Sequence, residues 1–191
     1  MLSRTFSSKT FVNKGITLFF TGLSGSGKTT IVNEIYSQII DKTDKSVVIL
    51  DGDEVRTFLS SELTFSKEHR DLNIKRIGYV AGLVSGAGGI VLTAAIAPYK
   101  ETRYEAKKLV EKSGAKFMEI YVDTDLETCE KRDVKGLYKL AREGKIENFT
   151  GISDPYEKPL NPNMSIKTEN NSIYESADQV IKYLTYNNYI Q

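Results

Sequence analysis

The sequence predicts an α/β protein, a three-layer α/β/α sandwich around a central, mainly parallel sheet. Three observations lead there. Short apolar runs rich in β-branched and aromatic residues alternate with helix-length amphipathic segments, the pattern of βαβ units whose right-handed crossovers lay helices on both faces of a parallel sheet. The first run ends in a glycine-rich turn that opens a helix. A length of 191 residues, 40% hydrophobic and 27% charged, is that of one globular domain with one core.

In chain order, residues 1–14 carry Arg4, Lys9 and Lys14 and no acid. They are too short for a transit peptide and are expected to form a surface arm, leaving 15–191 as the single domain. Ile16 to Thr21 is a short apolar run, expected as a buried strand. Thr29 to Ile40 spaces Ile31, Val32, Ile35, Tyr36 and Ile39 as a helix does. Val47 to Leu50 is a second strand, closed by the turn Asp51-Gly52-Asp53. Ser66 can cap a long helix with Ile77, Val80, Ala81 and Val84 on one face, ended by Gly86 and Gly88-Gly89. Ile90 to Ile96 is a third strand, Glu101 to Ser113 a helix stopped by Gly114, and Phe117 to Val122 a fourth strand. Residues 144–163 hold all but one of the four prolines and are expected to be irregular. Ile173 to Leu184 is helical.

Composition excludes several functions. Lys plus Arg is 26 against 25 for Asp plus Glu, without the basic excess of a nucleic-acid or membrane-surface binder. No apolar run is long enough to cross a bilayer. The one cysteine, Cys129, forms no intrachain disulfide, so a reducing, cytoplasmic setting is expected. With one histidine, His69, soft ligands are too few for structural zinc.

Gly22-Leu23-Ser24-Gly25-Ser26-Gly27-Lys28-Thr29, followed by Thr30, matches the P-loop pattern. Glycines let backbone N–H groups turn onto phosphate oxygens, and the following helix adds its positive end. Lys28 reaches the outer phosphates, and the Thr29 hydroxyl can complete a magnesium shell. A strand before and a helix after supply the context, so the chain is expected to bind a nucleoside triphosphate, in a P-loop NTPase-type fold.

Asp51 and Asp53 fall at the carboxyl end of a strand, where open α/β sheets bind ligands. Two carboxylates there can hold magnesium or take a proton from an attacking hydroxyl; the plainer reading is a turn with a helix cap. A small-molecule kinase fits better than a GTPase, because Asn-Lys-x-Asp is missing. Arg56, Arg70, Lys75 and Arg76, with Phe65 and Asn73 among them, offer forks for phosphate or sulfate and a ring for a base; the plainer reading is a solvated helix face. Cys129 to Arg142 reads as a basic helix and turn, a lid over the phosphates at about 130–150 or again a solvated helix. Cys129 itself is read as a small buried hydrophobe, and His69 as a surface helix residue.

The chain resembles the adenylylsulfate (APS) kinase family from about Gly15 to Thr168. The resemblance is carried by Thr21 to Thr29, Leu50-Asp-Gly-Asp-Glu-Val-Arg56, Phe65-Ser-Lys-Glu-His-Arg70, Asn73-Ile-Lys-Arg76, Arg132-Asp-Val-Lys-Gly-Leu-Tyr138, Phe149-Thr-Gly-Ile152 and Pro155-Tyr-Glu157. The P-loop is common to many kinases; the Lys-Gly-Leu-Tyr and Phe-Thr-Gly-Ile pieces are far more specific. The resemblance implies transfer of the γ-phosphate of ATP, with Mg2+, to the 3′-hydroxyl of adenylyl sulfate. It implies that Arg56, Arg70 and Asn73 contact that acceptor and that Phe65 and Phe149 sandwich its adenine. Ile96, Ala97, Lys135 and Thr150 would line the same pocket, Asp51 and Asp53 would stand near the 3′-hydroxyl and magnesium, and Arg132 near the ATP base. It also implies a homodimer and a functional link to an ATP sulfurylase.

There are departures. Ala97 stands where the family usually has serine, so no phosphoserine can form there and direct in-line transfer is expected. Thr64, His69 and Ser153 replace a glycine and two aspartates. Ala97, Thr64 and Ser153 motivate an alternative acceptor, the 3′-hydroxyl of another activated nucleotide such as a cytidine diphosphate derivative. A catalytically silent nucleotide-binding module is the third reading; it would need damage at Lys28, Thr29 or the acidic pair, and all are intact.

Overall fold

The structure, a computed structural model, describes residues 15–191; the expected arm at 1–14 lies outside them. Its elements are β1 (Ile16–Thr21), α1 (Lys28–Ile39), β2 (Val47–Asp51), α2 (Gly52–Phe58), α3 (Lys67–Gly86), β3 (Ile90–Ala94), α4 (Lys100–Lys112), β4 (Lys116–Val122), α5 (Leu126–Arg132), α6 (Leu137–Arg142), β5 (Met164–Ile166) and α7 (Ile173–Tyr186). The strands form one sheet in the order β2-β3-β1-β4-β5, and each pairing is parallel.

β1 is the central strand and all six of its residues are buried. Period-2 alternation divides them between two cores. Ile16, Leu18 and Phe20 pack with Ile31, Val32, Ile35 and Ile39 of α1 and Ala177, Val180 and Leu184 of α7. Phe19 faces the other way, with Ile74, Ile77 and Ala81 of α3 and Ala106 and Val110 of α4. Helices thus cover both sheet faces, which is why the strands read as continuous apolar runs. A third, smaller core joins Leu23 to Cys129, Tyr138, Ala141 and Phe149.

α3 and α4 meet almost backbone to backbone. A Cβ placed on Gly78 would lie 2.7 Å from Ala106 Cα, and one on Gly82 3.0 Å from the Leu109 carbonyl oxygen. Ser66 caps α3 as expected, its hydroxyl accepting from the His69 N–H at 3.3 Å.

Two expectations need correction, one helix cap is found as read, and one strand was not foreseen. β3 stops at Ala94 rather than Ile96, because the chain turns out of the sheet at Ala97, whose φ is 46°, and Pro98 has no N–H for a ladder. The helix cap read at Asp51-Gly52-Asp53 is present: Asp51 ends β2 and caps α2, its Oδ1 accepting from the Asp53 N–H at 2.9 Å. The basic segment is two short helices, α5 and α6, parted by a turn in which the Asp133 carboxylate accepts from the N–H groups of Tyr138 and Lys139 at 3.0 and 3.1 Å. The strand β5, three residues long, has too little pattern to be read from sequence.

Candidate active site

A cleft of about 630 Å³ opens over the carboxyl ends of the strands, as the fold class requires. The site residues expected from sequence line it, except Gly22 and Ser26 of the P-loop and Lys75 and Arg76 of the basic helix face.

Its floor is the P-loop. Gly22 has a φ of 154°, and a Cβ there would stand 2.7 Å from the Val122 carbonyl oxygen, so the strand-to-loop exit admits only glycine. Gly27, at φ 104°, aims the chain into α1. Ser26 is buried behind the loop, where its carbonyl accepts from the Thr124 hydroxyl at 3.1 Å. The Lys28 ammonium folds back onto the Gly22 and Leu23 carbonyls at 3.0 and 2.7 Å. Burial pushes its pKa down to about 8, against the opposing pull of Asp51 and Asp53.

Beside it, the Thr29 hydroxyl donates to Asp51 Oδ2 at 2.7 Å. With the helix-cap bond on Oδ1, both Asp51 oxygens are engaged. Asp53, largely exposed, instead meets the Lys135 ammonium reaching across from the turn between α5 and α6.

The opposite wall carries Arg70 and Asn73, 8% and 4% exposed, so the solvated-face reading fails for both. Arg70 Nη1 donates to Thr150 Oγ1 at 2.7 Å and lies 3.2 Å from Asp154 Oδ2, while Nη2 donates to the Asn148 carbonyl. Asn73 Oδ1 is buried and accepts no hydrogen bond from the described residues, a donor-seeking atom in the cleft wall. The Arg56 guanidinium sits 4.5 Å from the centre of the Phe65 ring and donates to the Thr64 carbonyl at 3.2 Å. Phe149 stands edge-on to Tyr138 with centroids 5.0 Å apart. Lys75 and Arg76 do not join them; they pair with Glu105 and Glu62 outside the cleft.

The lid is rooted in the P-loop, since the Tyr138 hydroxyl donates to the Ser24 carbonyl at 2.8 Å. Arg132 donates to Thr168 Oγ1 at 2.9 Å and to its carbonyl at 3.2 Å. Thr168, Asn171, Ile173 and Ser176 complete this end of the cleft. Sequence reasoning missed all four, and the only local signal was the Ser172 cap of α7. His69 is partly buried rather than a plain surface residue, with Nδ1 accepting from the Thr64 N–H at 2.9 Å. Cys129 is fully buried and burial raises its thiol pKa, as expected of a packing residue.

A P-loop and a second, arginine-lined wall in one cleft are the parts of a kinase for a small anionic acceptor. The family model for adenylylsulphate kinase matches residues 14–167. The chain belongs to the adenylylsulphate kinase family. Adenylyl-sulfate kinase of Halothermothrix orenii is 48% identical over 177 residues, covering 93% of each chain. That of Staphylococcus epidermidis is 47% identical, covering 93% of this chain and 88% of its own. Among solved structures, the Mycobacterium tuberculosis APS kinase in complex with AMPPNP and APS superposes with a TM-score of 0.86 at 41% identity, over 90% of this chain and 98% of that one. Membership makes the chain a kinase with this family's P-loop architecture. None of the helices formed by the described residues is long and apolar enough to cross a membrane.

Proposed function

We propose that this adenylylsulphate kinase family member transfers the γ-phosphoryl group of ATP to the 3′-hydroxyl of adenylyl sulfate, giving 3′-phosphoadenylyl sulfate and ADP. The observation that carries the reading is that Lys28 and the Thr29–Asp51 pair open into the same cleft as Arg70, Asn73 and the two phenylalanine rings. One side suits a triphosphate and the other a nucleotide that carries sulfate. The APS kinase solved with AMPPNP and APS supports it at 41% identity.

The P-loop amides and Lys28 hold the triphosphate, Lys28 exchanging loop carbonyls for phosphate oxygens. The Thr29 hydroxyl and Asp51 carboxylate, hard oxygen ligands 2.7 Å apart beside the loop, fit Mg2+, which is usually held by one or two protein oxygens, phosphates and water. Bound there, Mg2+ would neutralise charge on the phosphates. Arg56 and Arg70 fix the acceptor's anionic groups, Phe65 and Phe149 its base, and Asn73 Oδ1 accepts one of its donors. The acceptor oxygen then bonds to the γ-phosphorus as the bond to the bridging oxygen breaks and ADP departs. Asp53 is the better placed to take the hydroxyl proton, because both Asp51 oxygens are occupied whereas Lys135 engages only Oδ2 of Asp53. Ala97 lines the cleft with a methyl group, so transfer is direct. Positioning and charge neutralisation supply most of the rate.

Two of the departures that motivated a cytidine nucleotide acceptor are engaged away from the cleft. The Ser153 hydroxyl accepts from the Phe149 N–H at 2.8 Å, and Thr64 bonds His69. Neither lines the cleft, which favours adenylyl sulfate. By analogy with its family alone, the proposal extends to a homodimer in a cytoplasmic setting that receives its acceptor from an ATP sulfurylase.

The test is incubation of the purified protein with magnesium-ATP and adenylyl sulfate, with a cytidine diphosphate acceptor in parallel and nucleotides separated by chromatography. Conversion of adenylyl sulfate alone is expected; preference for the cytidine nucleotide would overturn the assignment.

A further inference from the structure

Arg103, on the first turn of α4, is 3% exposed and does not line the cleft. Its guanidinium fork makes three bonds. Nε donates to Glu119 Oε1 at 2.8 Å, Nη1 to the Ala97 carbonyl at 2.9 Å and Nη2 to the Glu157 carbonyl at 2.8 Å. Three further bonds of Tyr156 and Glu157 tie the same region together. The Glu157 N–H donates to the Pro98 carbonyl at 2.9 Å, and Glu157 Oε2 accepts from the Lys100 N–H at 2.7 Å. The Tyr156 hydroxyl lies 2.9 Å from Thr21 Oγ1, which donates to the Ile96 carbonyl at 2.6 Å. Pro155-Tyr156-Glu157 carries part of the family resemblance, yet no role in the site has fallen to it.

What these bonds hold is a strained residue. Residues with a Cβ rarely adopt positive φ, yet Ala97 does so at 46° while 2% exposed. Such a conformation persists only where the surroundings over-determine it. The Ala97 carbonyl accepts from Arg103 Nη1, and Thr21 Oγ1, whose proton points to the Ile96 carbonyl, lies 3.3 Å from it.

We infer that Arg103 is a positioning residue. With the Pro155–Glu157 strut it holds Ala97 in its left-handed turn and so sets the Ile96–Pro98 wall against which the acceptor lies. The inference rests on the proposed function, which makes that wall part of the adenylyl sulfate site. A shift of the wall misaligns the acceptor and leaves the P-loop untouched, so it separates the two substrates kinetically.

The experiment is steady-state kinetics with both substrates varied, on the wild type, Arg103→Lys, Arg103→Met, Tyr156→Phe, Ala97→Gly and the Arg103→Lys/Ala97→Gly double variant, with thermal melts alongside. Arg103→Lys is expected to raise the KM for adenylyl sulfate about tenfold with that for ATP within about twofold. Tyr156→Phe, an isosteric change, shifts the same KM by less. Glycine at 97 needs no holding at positive φ, so the Arg103→Lys penalty on that KM shrinks in the Ala97→Gly background, while its effect on the melting temperature stays the same. Should Arg103→Met fail to fold, the lysine and Tyr156→Phe variants carry the test. Equal rises in both KM values, or an unchanged adenylyl sulfate KM in both milder variants, would overturn the inference alone. A wild type that makes no 3′-phosphoadenylyl sulfate would overturn the function it rests on, and the inference with it.

Discussion

Thr29 Oγ1 and Asp51 Oδ2 stand 2.7 Å apart, joining the first turn of α1 to the end of β2. The bond puts a hydroxyl and a carboxylate from two separate elements at one point beside the P-loop, where a divalent cation would meet the phosphates. Asp51→Asn is expected to lower turnover by at least ~10²-fold. Thr29→Ala should raise the magnesium concentration for half-maximal rate several-fold with a smaller loss at saturation. A magnesium titration of each variant checks both, and an unchanged titration in Thr29→Ala would remove that hydroxyl from the metal's shell.

Lys28 gives a pH signature. Its pKa is depressed to about 8 by burial, and phosphate oxygens will raise it again. ATP binding at pH 8 should therefore take up about half a proton, falling towards zero near pH 6. Calorimetry in buffers of different ionisation heat reads this directly. For folding the sign is the reverse of a stabilising pair: below pH 8 the buried ammonium costs stability, and stability from this group rises with pH between about 8 and the ordinary lysine value. Lys28→Ala should abolish the proton uptake and cut turnover by at least ~10²-fold.

The Asp53–Lys135 pair is solvent-exposed on both sides, so it contributes little to folding, at most about 1 kcal/mol. Asp53→Asn and Lys135→Ala should melt close to the wild type. Their effects belong to catalysis: Asp53→Asn should lower kcat, increasingly so as the pH falls and the hydroxyl proton is harder to lose. A large drop in melting temperature for either variant would mean the pair is structural.

Phe65 and Phe149 should separate binding from stability. Phe65 is 58% exposed and Phe149 9%. Phe65→Ala should fold normally and raise the adenylyl sulfate KM about tenfold or more, the scale of one lost stacking contact. Phe149→Ala should also lose about 3–5 kcal/mol of stability by opening the small core it shares with Tyr138 and Leu23. Denaturant melts and kinetics on both variants make the comparison.

Gly78→Ala should destabilise by about 1–3 kcal/mol, because the new methyl would meet Ala106 Cα at 2.7 Å. Gly114→Ala, with open space around its Cβ but φ at 85°, tests strain without crowding. Chemical denaturation of the two distinguishes packing from backbone conformation.

Much of this was legible in the chain. Ile16–Thr21 and Phe117–Val122 announced themselves because strands buried on both faces are apolar throughout. The P-loop was readable because its backbone geometry tolerates so few residue types. The burial of Arg70 and Asn73 was not legible: a polar residue on a helix looks the same whether it faces water or a ligand, and only the partners Thr150 and Asn148, some eighty residues on, decide it. Thr168 and Asn171 escaped for a related reason. They reach the cleft through β5, a strand too short to carry a pattern, and β5 is placed by pairing with β4 rather than by its own sequence. Lys75 and Arg76 misled in the opposite sense, since composition could not tell which side of α3 they take.

The small core beneath the lid has a consequence for traffic. Because Leu23 of the P-loop belongs to the same cluster as Cys129, Tyr138 and Phe149, the lid helices share a foundation with the loop they cover and cannot swing away as a flap without breaking it. What is left to give way is the rim between them, where Val134 is 84% exposed and Gly136 takes a positive φ. Nucleotides would then pass through a narrow doorway whose latch is an exposed ion pair, and rising ionic strength should quicken their exchange without loosening the frame.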